Sequence, residues 1–200
     1  MMTNMKFVLL AFATVLSFVG TTDYVMSIFN GKTKPHRTTR IVLFIVAVVN
    51  LIGSIASGAG LGVLLLSVFF FGRSLLLALL SIKRGIGGTS RLDISCAVLA
   101  ILGIVAWQLS GSGIWALVFA IIADAVAYIP AVMKTRKQPK SEAPLMYWLE
   151  GVAATLAVIH DGFRLTVIFQ VYIIISCIVM LVCIYHPTFG EKSYNRDVLE

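Results

Sequence analysis

The chain has 200 residues, of which 59% are hydrophobic and 12% charged, and its formal net charge is +7. Soluble domains carry charge on about a quarter of their residues, so a mean hydropathy of +0.97 excludes an ordinary soluble protein and points to one built into a lipid bilayer. The basic excess calls for no nucleic acid, because it is spread over short connections with no soluble domain to carry it.

Apolar runs of about 20 residues cross a hydrocarbon core as helices, and seven are predicted here: Phe7 to Phe29, Ile41 to Ser57, Leu61 to Ile82, Ile94 to Leu109, Ile114 to Met133, Met146 to Ile159 and Thr166 to Tyr185. They lack the two-residue alternation of a barrel wall, and backbone groups in lipid must be satisfied within a helix or a closed barrel. The second, fourth and sixth runs are short. They extend into the polar connections or cross a thin part of the bilayer. The first run follows a single Lys6 in the manner of a signal peptide, but it continues to Phe29 and takes part in the repeat described below.

Seven crossings place alternate connections on opposite faces. Thirteen of the 16 Lys and Arg then fall on one face: in the stretch GKTKPHRTTR (31 to 40), in 83 to 93, in 134 to 144 and in the tail. Lys6 and Arg164 lie on the other face and Arg73 inside a span. The positive-inside rule then places the N-terminus outside and the C-terminus in the cytoplasm, with the basic stretches as cytoplasmic anchors near anionic headgroups.

Shifting the chain on itself by about 104 residues brings Tyr24 onto Tyr128, Val25 onto Ile129, Lys32 onto Arg136 and Pro35 onto Pro139. Spans one to three then fall on spans five to seven. An odd-numbered unit needs one extra crossing before its copy enters the membrane the same way up, which gives a 3+1+3 plan of parallel three-helix repeats. The predicted fold is therefore all-α and integral to the membrane. Its parts are a first repeat (1–82), a connection with the fourth helix (83–110), a second repeat (111–186) and a cytoplasmic tail (187–200).

The segment YIPAVMKTRKQPKSE (128 to 142) has an aromatic residue, a helix-end Pro, a Lys-Thr pair and a later Ser, in that order. In this it resembles the SWEET and PQ-loop superfamily of seven-helix membrane proteins. The first copy, DYVMSIFNGKTKPHRTTR (23 to 40), is similar to small prokaryotic membrane proteins related to that superfamily. The resemblance implies a carrier or facilitator in a prokaryotic plasma membrane, with its solute path between the two repeats. It also implies hinge prolines, of which Pro130 alone is present; the naming Pro-Gln dipeptide is absent from both copies.

Charges inside a membrane are costly and mark functional sites by default. At about 1.5 Å per residue, Arg73 and Asp124 stand at similar mid-depth, within reach of each other. One reading makes Asp124 the site for a cation, proton or polar solute, with Arg73 as gate or counter-ion. The other makes them a static buried pair. Asn50, midway along the second span, is the best placed amide to line a cavity, while Gln108, Gln170 and Thr155 suit hydrogen bonds between helices. Glu150 is placed near the cytoplasmic end, within reach of water or Lys140. Trp107, Trp115, Tyr147 and Trp148 suit the membrane interfaces.

Ser54 and Gly58 suit close helix packing, and Ser90 with Asp93 suits a cap on the fourth helix. Cys96, Cys177 and Cys183 lack metal-ligand or redox spacing and read as small apolar residues. No catalytic set, metal site or cofactor motif is found. Two functions stay open: a carrier of a small polar solute, sugar-like or amino-acid-like, and a non-transporting structural or receptor-type membrane protein. The expected partners are the bilayer and, in the first case, the solute, and homo-oligomers are open to a protein of this size.

Overall fold

The computed structural model describes residues 2–86 and 113–186, together with residues 91, 94, 95, 98, 102, 105, 109 and 111. Six long helices are assigned among them: α1 (Met2–Phe29), α2 (Arg37–Ala56), α3 (Leu61–Arg84), α4 (Gly113–Lys137), α5 (Pro144–Asp161) and α6 (Ile168–Tyr185). Among the described residues there is no β-strand. The fourth predicted span lies largely outside the described residues, as do Ser90, Asp93, Cys96, Trp107, Gln108 and the tail from residue 187; α4 is thus the fifth span. Those residues of the fourth span that are described, Ile94, Ser95, Val98, Leu102, Val105 and Leu109, are helical.

The helices run further than their apolar stretches. α2 begins at Arg37, four residues before its predicted start, and α5 takes in Pro144 at its first turn, where the missing N–H of proline costs nothing. Polar residues continue a helix when their backbone bonds have nowhere better to go, which resolves the shortness of both spans. α1 and α2 end alike. Gly31 and Gly58 take φ values of 70° and 66°, and each is followed by a pair of backbone bonds back into the last turn: Gly31 to Ile28 and Lys32 to Ser27, Gly58 to Ile55 and Ala59 to Ser54. Those are the two bonds of a Schellman stop, for which a left-handed glycine is required. Gly58 therefore serves the turn and not helix packing, while Ser54 is fully buried against α3.

Helix pairing is approximately symmetric. α1 packs mainly on α5 and α2 on α4; α3 packs on α2, and α6 on α5; α4 meets α6, and α1 meets α3. Exchanging α1, α2, α3 with α4, α5, α6 returns these pairs, whereas the contact of α3 with α5 has no counterpart of similar extent between α6 and α2. Small residues allow the closest approaches. Ala120, Ala123 and Ala127 line the α4 face that receives Val42, Val46 and Val49 of α2, and a Cβ on Gly20 would stand 3.3 Å from Met146 Cα on α5. Large apolar side chains cover the outside of the bundle, among them Phe18, Val68, Leu79, Ile122, Ile175 and Val182. An apolar outer surface of this kind suits lipid and not water. Five of the described helices are long and apolar enough to cross a membrane; α5, interrupted by Glu150 and ended by His160 and Asp161, is not among those five.

The connection after α1 is stitched to the end of α3. Ile86 N–H donates to Pro35 O at 2.9 Å and Arg37 N–H to Ile86 O at 3.0 Å. Gly85 has no space for a side chain, since a Cβ there would overlap Ser81 O and stand 2.8 Å from Pro35 O. Gly85→Ala is expected to cost about 1–3 kcal/mol by overpacking against backbone that cannot yield. Gly72→Ala, facing open space within α3, is expected to be neutral or to stabilise by up to about 1 kcal/mol. Thermal unfolding of the two variants in detergent checks the contrast.

Candidate functional site

A cavity of about 40 Å³ is lined by residues of α2, α3, α4, α5 and α6. Its polar lining comes from both halves of the chain: Arg40 and Arg73 from the first, Asp124, Tyr128, Tyr147 and Glu150 from the second. That volume has room for about three waters. The charged lining is balanced, two guanidinium groups against two carboxyl groups.

Arg73 and Asp124 do line one space, but they are not each other's partners. Arg73 Nη1 is 2.5 Å from Glu150 Oε2, an ion pair without hydrogen-bond alignment at that nitrogen. Its guanidinium carbon also lies 5.1 Å from the centre of the Phe70 ring. Glu150 therefore does not sit with the surface basic residues, as its position along the span suggested. With a side chain 14% exposed, it turns inward to meet Arg73, because the two residues face each other across α3 and α5. Asp124 is held by Tyr172 of α6, whose hydroxyl donates to Oδ2 at 2.5 Å. Its Oδ1 is buried with no hydrogen-bond partner among the described residues.

Asn50 stands elsewhere. Its amide donates to Ser67 Oγ at 3.0 Å, and Ser54 Oγ lies 3.2 Å from the same hydroxyl, so it ties α2 to α3 within the first half. Gln170 is buried, and Thr155 bonds back to Gly151 of its own helix. Pro130 sits inside α4, which continues through it. Cys177 is buried in the cavity wall and Cys183 is buried nearby on the same helix.

Toward the basic-loop face the cavity is closed by a second group of polar side chains. Tyr24 on α1 donates to Glu142 Oε2 at 3.0 Å, Tyr147 on α5 donates to the same oxygen at 2.9 Å, and Arg40 on α2 donates to the Tyr24 hydroxyl at 2.5 Å. Lys134 on α4 pairs with Glu142 Oε1 and also donates to Lys34 O at 2.7 Å. Two expectations are corrected here. Tyr147 is buried, 4% exposed, and not an interfacial anchor. Arg40, 8% exposed, and Lys134 face inward, whereas Lys32, Lys137 and Lys140 remain at the surface. Charge interrupts the apolar run at Arg40 and so suggests a loop there, but the helix begins before it, at Arg37, and carries it inside.

At the opposite end Asp161, the last residue of α5, accepts hydrogen bonds from the N–H groups of Gly62 and Val63 in the first turn of α3, at 3.2 and 2.7 Å. A carboxylate suits unpaired N–H groups at a helix start. Gly60 and Gly62 make the approach possible, because a Cβ on either would collide with the Asp161 carboxylate or the His160 ring. His160 Nδ1 lies 2.5 Å from Asp161 Oδ1. The sequence held a hint of this in GAGLG opposite His-Asp, but nothing in the spacing joins residues so far apart.

Among the described residues no group of His, Cys, Asp and Glu could hold a metal ion. The fold and the site define a helical bundle with apolar walls and a buried, charge-balanced polar cavity between its two halves. No protein-family model matches the chain, and no curated protein or solved structure matches it.

Removing one member of the Arg73 and Glu150 pair leaves a buried charge without a partner. Arg73→Met and Glu150→Leu are each expected to lose about 3–5 kcal/mol of stability, and the double variant to recover most of that loss. A double-mutant cycle on thermal unfolding measures it; additive losses would show that the pair does not interact.

Proposed function

We propose that the chain is an integral membrane carrier of a small polar solute, which passes between two three-helix units through the central cavity. The observation that carries this reading is the cavity itself. Packing alone favours filling such a space with apolar side chains, since replacing buried ion pairs by hydrophobic residues often stabilises a protein. Here charged groups from both halves converge on an open space, and a carboxylate oxygen of Asp124 has no hydrogen-bond partner among the described residues. A binding site for a polar ligand accounts for retaining them.

The exchange symmetry of helix pairing supports parallel three-helix repeats, a plan that needs one further crossing between them, for which the sequence offers the apolar run from Ile94 to Leu109. Membrane insertion with the basic connections in the cytoplasm and the N-terminus outside follows the positive-inside rule. In the conformation described, the cavity suits a ligand of only a few heavy atoms. A sugar-sized solute requires the helices around it to separate. Asp124, Arg73 and Glu150 are the residues expected to meet the solute; Asn50 holds α2 to α3.

The competing reading, a non-transporting membrane protein of the same fold, rests on the pairing of Arg73 with Glu150, which needs no ligand to balance it. Single cysteines at positions 50, 73 and 124, in a background lacking Cys96, Cys177 and Cys183, discriminate the two. The carrier reading predicts labelling by membrane-impermeant thiol reagents at 73 and 124, reduced by a transported solute, and protection at 50. Protection at all three positions from both faces would leave only the structural reading.

A further inference from the structure

The polar group toward the basic-loop face joins the two halves of the chain through the hydrogen bond of Tyr24 to Glu142, with Arg40 bracing Tyr24 within the first half and Lys134 and Tyr147 bracing Glu142 within the second. Tyr24 and Arg40 belong to the first half, and Lys134, Glu142 and Tyr147 to the second. Glu142 is the hub: it accepts from Tyr24 and Tyr147 on one oxygen and pairs with Lys134 on the other. The connections themselves are drawn together as well, since Lys134 reaches Lys34 O and Lys34 N–H donates to Ser141 O at 3.3 Å. Arg40 and Tyr147 also line the cavity, so the group is the wall of the cavity on that side.

At the far end, Asp161 of the second half holds the first turn of α3 in the first half. The two ends are tied by different chemistry. One is a side-chain network buried among helices; the other is a carboxylate on backbone N–H groups, in a space kept open by Gly60 and Gly62.

We propose that these are two opposed gates of the carrier: a Glu142 clasp that shuts the cavity from the basic-loop face, and an Asp161 clasp that shuts it from the other. The proposal rests on the carrier reading given above. With both clasps closed the solute is occluded. Opening toward the basic-loop face separates Glu142 from Tyr24 and breaks no contact of Asp161, and opening toward the other face frees the start of α3 and leaves the Glu142 network whole. Each clasp joins the halves on one side only, so weakening one shifts the population toward that side.

Cys177, buried in the cavity wall, is a native reporter. In Cys96→Ala, Cys183→Ala protein, impermeant maleimide is applied to sealed vesicles of both orientations. Glu142→Gln removes the charge that holds Lys134 and the tyrosines, and is expected to raise Cys177 labelling from the basic-loop face by about tenfold, with little change from the other face. Tyr24→Phe removes one contact between the halves and is expected to act in the same direction by a smaller factor. Asp161→Asn is expected to raise labelling from the opposite face alone.

Folded Glu142→Gln and Tyr24→Phe proteins that label like the parent from both faces would overturn the proposal. So would a rise from both faces at once, and so would the failure of both variants to fold, since the clasp would then be structural. Labelling of Asp124→Cys in the parent tells the two failures apart. If that cysteine labels while the clasp variants show no sidedness, the carrier reading stands and the gates do not. If it is protected in every variant, the carrier reading falls and the gates with it.

Discussion

Three cationic side chains, Arg40, Arg73 and Lys134, and three acidic ones, Asp124, Glu142 and Glu150, stand in or beside the central cavity of a bundle whose outer surface is apolar. Desolvating any one of them alone would cost several kcal/mol, and a lone charge in such surroundings is not tolerated unless a partner is close. The packing of the helices is arranged around that need. α3 and α5 meet where Arg73 and Glu150 pair, and α1, α2, α4 and α5 converge on Glu142. The remaining close approaches use residues with little or no side chain, at Gly20 and along the alanines of α4.

What the sequence disclosed and what it hid divide along the same line. Apolar runs are long, so the positions of the six described helices were legible. Arg73 and Asp124 were legible as interior charges because each interrupts an apolar run. Their partners were not. Glu150 and Arg40 lie near the ends of their apolar runs, where a charge is ordinarily solvated, and only the way α2 and α5 are set against their neighbours turns them inward. Asn50 was equally central by depth, yet it faces α3; depth along a helix says nothing about rotation around its axis.

The cavity and the two clasps form one physical system. The clasps use different chemistry at the two ends, so each can be weakened without disturbing the other. Between them the lining charges balance, two guanidinium groups against two carboxyl groups, so the carrier reading proposed above suits a net-neutral or zwitterionic solute better than an ion. Glu142 stands two residues before the start of α5 and Asp161 is its last residue, so a tilt of that helix relative to the first half would loosen one contact while keeping the other.

The proposed gates require the two halves to move against each other around the cavity, and distances between spin labels on the two halves measure that motion directly. One pair of labels at Lys32 and Lys137 reports the basic-loop face, and a pair at Ala56 and Phe163 reports the other; all four positions are exposed. Opposed gating gives two populations for each pair in lipid, with the long distance at one face never accompanied by the long distance at the other. A single narrow distance at both faces, unchanged by any small polar solute, would contradict it and identify the bundle as a static membrane scaffold.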